Sequence, residues 1–225
     1  KNVIFTNGFI NEDMFKNYKN NPRLKVLFKK YIHIKDKYKE NVEIFERKNF
    51  KNNKVLGVHF RGTSMKTIPN HPLPPSVKQM ISLVEEALLK YKFTKIFLVT
   101  DQLDYLNIFL KKFGNMVCYR DSFRSNKSKI FHLKVRKLHR YKMGVDALED
   151  TLLMSRLDYL ICSRSNMSEV ASIMISNKLK VLEIQNGFNP NKIFYSQINW
   201  FLKQLLPETL GGFKKNIPLK FKLNK

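Results

Sequence analysis

The chain has 225 residues, 43% of them hydrophobic and 27% charged, values that exclude a disordered or fibrous protein. At this length folding removes roughly 70% of the unfolded surface from water, enough for a core without disulfide or metal staples. Forty-two Lys and Arg against 18 Asp and Glu give a formal charge of +24, a field that favours nucleic acid, an anionic membrane surface or a phosphorylated small molecule as partner. A lysine- and asparagine-biased genome writing an ordinary surface accounts for the same charge. No apolar run approaches the roughly 20 residues of a membrane span, and residues 1–20 hold no apolar signal-peptide core. The first residue is Lys rather than Met, so a fragment or processed product is expected.

In chain order, residues 1–53 are polar and rich in Lys and Asn, with helical character around 23–48. They read as a lead-in segment or the edge of a further domain. From residue 54 five short apolar runs follow: VLGVHF at 55–60, IFLVT at 96–100, MVCY at 116–119, LDYLIC at 157–162 and VLEI at 181–184. They are nearly continuous rather than alternating, as in strands buried on both faces. Helical patterns separate them at 76–91, 104–113, 146–156 and 167–176, with a last one at 194–205. In the first of these Val77, Met80, Ile81, Val84 and Leu88 recur at three- and four-residue steps. Strand–helix alternation with such short connections implies right-handed βαβ units on a parallel sheet. The expected fold is therefore α/β, a Rossmann-like parallel sheet with flanking helices over 54–206, followed by a loosely ordered basic tail at 207–225.

Open parallel sheets bind ligands beyond the carboxyl ends of their strands, and three segments put polar residues there. After the first strand come His59, Phe60, Arg61, Gly62, Thr63 and Ser64. Period-2 alternation points His59 and Arg61 the same way, and an Arg leaving a strand before a turn can grip a diphosphate with its fork of donors. After IFLVT stand Thr100 and Asp101, with Asp101 either a helix N-cap or a phosphate-side group. The third segment runs from Asp150 through Glu169. Asn166 and Glu169 have capping-box spacing, and the helix start they mark also exposes N–H groups and a dipole end to an anion. The five His and two Cys lack zinc-ligand spacing, and P-loop, GxGxxG and GxSxG motifs are absent. No metal and no cofactor are expected. Cys118 and Cys162 lie in apolar runs and read as small hydrophobes in a reducing, cytoplasmic setting. The sequon Asn166-Met167-Ser168 sits inside the candidate site, where a glycan would be damaging, which also disfavours a secretory lumen.

Taken together, VLGVHFRGTSM, IFLVTDQ and LEDTLLMSRLDYLICSRSN resemble, in order and spacing, motifs of the GDP-fucose-dependent fucosyltransferases of the α-1,6, α-1,2, nodulation-factor and protein O-fucosyltransferase type. The resemblance covers about residues 54–175 and implies the C-terminal, donor-binding domain of a GT-B glycosyltransferase, with residues 1–53 a remnant of an acceptor domain. It further implies metal-independent, inverting transfer of fucose from GDP-fucose to a glycan hydroxyl. His59 then lies near the nucleotide, and Arg61 holds the β-phosphate and stabilises departing GDP. Asp150 accepts hydrogen bonds from the guanine edge. Ser165 and Asn166 touch the phosphates, and Gly62, Thr63, Thr100, Asp101 and Ser168 complete the donor site. Two positions depart from the family pattern: Ser64 replaces an expected acid and Pro69 a Glu that serves some relatives as base. His71 is the substitute base.

Residues 124–142 carry eight Lys or Arg and no acid, interleaved with Phe131, His132, His139 and Tyr141. That stretch reads as a solvated loop, a mobile loop over the donor phosphates or an anionic acceptor glycan, or a nucleic-acid patch. Two other functions therefore stand beside the transferase: a basic α/β nucleic-acid-binding protein without catalysis, and a catalytically dead GDP-binding relative. An anionic membrane surface is a further expected partner, with the protein peripheral to it.

Overall fold

The computed structural model describes residues 22–127, 130–174 and 179–223. Two helices lead in, α1 (Pro22–Tyr31) and α2 (Asp36–Asn49). The strands are β1 (Val55–His59), β2 (Lys95–Val99), β3 (Val117–Cys118), β4 (Tyr159–Ser163), β5 (Lys180–Ile184) and β6 (Lys222–Leu223). Between and after them come α3 (Val77–Tyr91), α4 (Leu103–Phe113), α5 (His139–Ser155), α6 (Asn166–Met174) and α7 (Ile193–Leu205). The sheet order is β3-β2-β1-β4-β5-β6. The first five strands are parallel, and β6 is antiparallel to β5.

All five residues of β1 are buried, because helices cover both faces of the central strand. Leu56, Val58 and Phe60 pack with Met80, Val84 and Ala87 of α3 and with Leu106 and Phe109 of α4. On the opposite face Val55, Phe97 and Val99 pack with Val42 of α2, Leu153 and Met154 of α5 and Ala171 of α6. Phe45 and Phe50 rest against Phe97 at 5.5 and 5.3 Å. Helix α2 thus belongs to the same packed unit as the sheet, across the boundary expected at residue 53.

Local chemistry sets the element ends. Ser76 and Gln79 form a true capping box at the start of α3, and Lys92 ends that helix in a left-handed conformation. Helix α5 starts at His139, earlier than its apolar period indicates. The tail differs from the loosely ordered end expected. Leu219 is buried, Ile217 and Phe221 pack on the first core, and Phe213 joins Trp200 and Leu73 in a third cluster. Apolar residues set among the tail's lysines supply that burial.

Candidate functional site

Strand order reverses between β1 and β4, since the chain proceeds outward to β2 and β3 and then returns to β1's other side. Crossover loops diverge at such a point and leave a crevice above the carboxyl ends of the two strands. His59, the last residue of β1, registers opposite Cys162 of β4, so the two motif loops that follow them, 60–66 and 163–168, border that crevice.

The 163–168 loop is built from serines. Ser165 Oγ accepts from the Ser168 N–H at 3.2 Å, and Ser168 Oγ accepts from the Ser165 N–H at 3.2 Å. This reciprocal pair caps α6 one residue ahead of the expected Asn166–Glu169 box, and Asn166 is left exposed at the first turn. The Ser168 hydroxyl donates to the Ser165 carbonyl at 2.9 Å. The Ser165 hydroxyl lies 3.3 Å from His59 Nδ1 and 3.2 Å from Ser168 Oγ, tying the imidazole to the start of α6. His59 is fully buried. Burial, aided by the neighbouring Arg61 charge, lowers its pKa to about 3 against a weaker opposing pull from Asp101, so the imidazole is neutral.

The 60–66 loop hangs on Asp101. Gly62 N–H donates to Asp101 Oδ1 at 2.9 Å, the Thr63 hydroxyl donates to Oδ2 at 2.7 Å, and Arg61 Nη2 stands 3.6 Å from Oδ2. Gln102 continues the clamp: its Oε1 accepts from Thr63 N–H at 3.1 Å and from Lys66 Nζ at 2.9 Å. Asp101 is therefore not the N-cap. Gln102 holds that position in extended conformation, and both carboxylate oxygens of Asp101 are spent across the sheet. A Cβ at Gly62 would lie 2.0 Å from Gln102 Oε1 and 2.9 Å from Tyr105 Cε2, so any side chain there would displace the Gln102 clamp. Thr63 has φ 43°, a left-handed backbone that the two hydrogen bonds hold in place. Thr100 is buried and accepts from Gln102 N–H at 3.2 Å.

Lys66 is the cation that sequence reasoning passed over. Its ammonium lies between the Tyr105 and Trp200 rings, 4.9 and 4.5 Å from their centroids. Desolvation lowers its pKa against the pull of Asp101 and Asp104. Tyr105 stacks on Phe60 at 3.9 Å, and its buried hydroxyl has no hydrogen-bond partner among the described residues. His71 is half-buried, and desolvation followed by the Arg61 charge lowers its pKa.

Asp150 sits on α5 in a separate charged cluster. Arg120 Nη1 donates to Asp150 Oδ1 at 3.2 Å and to the Asp146 carbonyl at 3.1 Å, while Nη2 engages Glu149. Asn41 of α2 donates to Glu149 Oε1 at 2.8 Å. Burial raises the Asp150 pKa to about 6, and Arg120 is the main group holding it down. Arg120 was not singled out from the sequence, although an Arg directly after an apolar run repeats the VHFR pattern of β1.

The basic stretch 124–142 is only partly a solvated loop. Arg124 donates to the carbonyls of Ser122 and Arg120 at 2.9 Å each. Arg136 pairs with Asp146 at 2.7 Å, and His139 is buried with Nε2 2.9 Å from the Ile130 carbonyl. His139 is thus closed to the base stacking that a nucleic-acid patch requires. Among the described residues no group of three or more His, Cys, Asp or Glu is placed to hold a metal.

An open, doubly wound sheet, parallel in its first five strands and closed by an antiparallel sixth, defines a Rossmann-like class of α/β protein. The family model for nodulation protein Z (NodZ) matches residues 17–199, and the chain belongs to that family. Among solved structures it is similar to a NodZ α-1,6-fucosyltransferase co-crystallised with GDP (17% identity, TM-score 0.44, covering 70% of this chain and 46% of that one). It is also similar to the fucosyltransferase NodZ from Bradyrhizobium (18%, 0.42, 70% and 46%). A third is POFUT1 in complex with GDP-fucose (13%, 0.46, 77% and 50%). The chain spans about half the length of these structures. No curated protein sequence is significantly similar to it.

Proposed function

We propose that the chain is the donor-binding half of a glycosyltransferase that moves fucose from GDP-fucose to a glycan hydroxyl with inversion. The observation that carries this reading is that the β1/β4 switch point gathers the Arg61 guanidinium, whose charge acts on the buried, neutral His59, and the capped start of α6, whose Ser165 lies against His59. In the reaction the acceptor oxygen bonds to the sugar's anomeric carbon. The bond from that carbon to the β-phosphate oxygen breaks, and its electron pair leaves with GDP. Arg61 faces the charge that builds on the phosphate, where a fixed donor lowers the barrier most. The first N–H groups of α6, at Asn166 and beyond, add a dipole end of the same sign, so the countercharge comes from the chain without a metal.

The remaining residues divide into those that meet the donor and those that hold the loop. A carboxylate facing a diphosphate would repel it, so Asp101, with Thr63, Gly62 and Thr100, fixes the loop that aims Arg61. His59 holds Ser165 as a neutral neighbour of the nucleotide. Asp150, when ionised, is an acceptor-only group matched to the two N–H donors on guanine's pairing edge, and Arg120 keeps it charged. His71 is neutral near pH 7 because burial and Arg61 depress its proton affinity, which suits it to take the acceptor proton. Cys118 and Cys162 are buried and outside any disulfide, in keeping with a reducing, cytoplasmic setting; among the described residues no helix is long and apolar enough to cross a membrane.

The test is a transfer assay with labelled GDP-fucose on a glycan panel, comparing the wild type with Arg61→Ala. The reading expects the variant to lose transfer while keeping its fold. Full transfer by the variant would remove Arg61 from its role.

A further inference from the structure

Helix α7 is amphipathic in the reverse sense. Its inward positions are Ser196, Asn199 and Trp200. Ser196 Oγ donates to the Thr67 carbonyl at 2.8 Å, Asn199 Nδ2 to Asn189 Oδ1 at 3.4 Å and Trp200 Nε1 to the Pro74 carbonyl at 2.9 Å. Its outward positions hold Ile193, Phe194, Ile198, Phe201, Leu202 and Leu205, all exposed, with Phe194 at 66% and Leu205 at 82%. The exposed apolar run continues past the helix through Leu206 and Leu210. The polar residues that share the outward face, Gln197 and Gln204, carry no charge. Monomer surfaces rarely keep a contiguous apolar patch of this kind without a use for it.

We infer that this face of α7 docks the protein onto an anionic lipid surface, with the helix lying flat at the headgroup–acyl boundary. Two observations select lipid over a protein partner for this apolar ridge. Residues 184–207 contain no acid, Glu208 just beyond them accepts from the Lys215 N–H, and Lys192 and Lys203 stand at the two ends of the helix. The chain's +24 charge adds long-range attraction to anionic headgroups and opposes a second copy of the same chain. Trp200 anchors the ridge from beneath and also closes over Lys66, so docking would set the crevice at a fixed height above the lipid.

The experiment is co-sedimentation of the full chain with phosphatidylcholine vesicles that contain or lack phosphatidylserine. The pair Phe201→Glu and Leu205→Glu lies on exposed positions, and emission from Trp200, the sole tryptophan, reports whether the helix stays docked. The wild type should bind the phosphatidylserine vesicles, more weakly as salt rises, and the double variant should lose at least about tenfold in partitioning. Should the double variant shift Trp200 emission, the single Leu205→Gln variant takes its place, with a smaller loss of the same sign. Failure of the wild type to bind, binding indifferent to phosphatidylserine, or undiminished binding by the variants would overturn the inference. So would a wild-type dimer in light scattering that the substitutions dissociate without any vesicle binding, which would assign the face to a second copy.

Discussion

The switch-point crevice and helix α7 invert the usual rule in opposite ways, and the two inversions have different consequences. At the crevice, polar and ionisable groups are buried: His59, Thr63, Ser165 and Ser168 are all nearly inaccessible. Burial of that kind is costly unless each group is satisfied, and here the hydrogen bonds close on one another. At α7, many apolar groups face water while Ser196 and Asn199 face in beside the buried Trp200. Buried polarity fixes geometry for chemistry with a charged ligand, whereas exposed apolarity stores a tendency to associate. A substitution in the first region should therefore alter rate, pH response or stability, and one in the second should alter only what the protein adheres to.

The largest expected effect is at Arg61. If Arg61 faces the leaving phosphate as proposed, Arg61→Ala should cost about 3 kcal/mol of transition-state stabilisation, a hundredfold or more in transfer rate. Thermal unfolding should hardly move, because its recorded ion-pair partner is Asp101 at 3.6 Å. Asp101→Ala makes the opposite contrast. It strands the Gly62 N–H and the Thr63 hydroxyl inside the protein and should lower stability by about 1–3 kcal/mol. At this chain length each kcal/mol shifts the melting temperature by about 2–4 °C.

The pH response separates His59 from Asp150. For His59 the folded pKa lies below the ordinary 6.5, at about 3. The unfolded chain binds more protons between those values, so this group's stabilisation is present above pH 6.5 and drains away as pH falls toward 3. For Asp150 the folded pKa is raised from 3.8 to about 6, so its contribution has the reverse sign and stability falls as pH rises across that window. His59→Gln should flatten the acid limb of a stability–pH curve, and Asp150→Asn should remove the opposing slope. GDP affinity should rise as pH passes about 6, where Asp150 ionises. Arg120→Gln should move that midpoint upward, and Asp150→Asn should narrow the preference for GDP over UDP. A midpoint that Arg120→Gln leaves in place would break the link between the two side chains. The smallest expected effect is at the surface pair Lys112–Glu85, at 2.6 Å with both groups well exposed. Glu85→Gln should change stability by less than about 0.5 kcal/mol in a denaturant titration.

What could be read from the sequence follows from the range of each interaction. Strand runs bounded by turns and helices at 3.6-residue spacing are local signals, and all five apolar runs became parallel strands, with MVCY shortened to Val117–Cys118. The Ser76–Gln79 box is local as well. Of the two readings open for Asp101, the cap fails because its partners lie 38 and 39 positions away, where no local pattern reaches. The cap of α6 was displaced by one residue because two serines bond each other in preference to the Asn–Glu spacing. The helical pattern at 194–205 was legible, yet a period does not say which face is buried. Its direction is set by Thr67, Pro74 and Asn189, which take the polar side.

The central claim is that the crevice between β1 and β4 holds a guanosine diphosphate by way of Arg61. Its most direct test is calorimetric titration of the chain with GDP and with UDP, without added metal, for the wild type and Arg61→Ala. The account predicts saturable GDP binding preferred over UDP and greatly weakened in the variant. A chain that binds GDP and transfers no sugar to any acceptor would be a dead relative with the same site. Absence of GDP heat, with tight salt-sensitive binding of a single-stranded oligonucleotide in its place, would contradict the account.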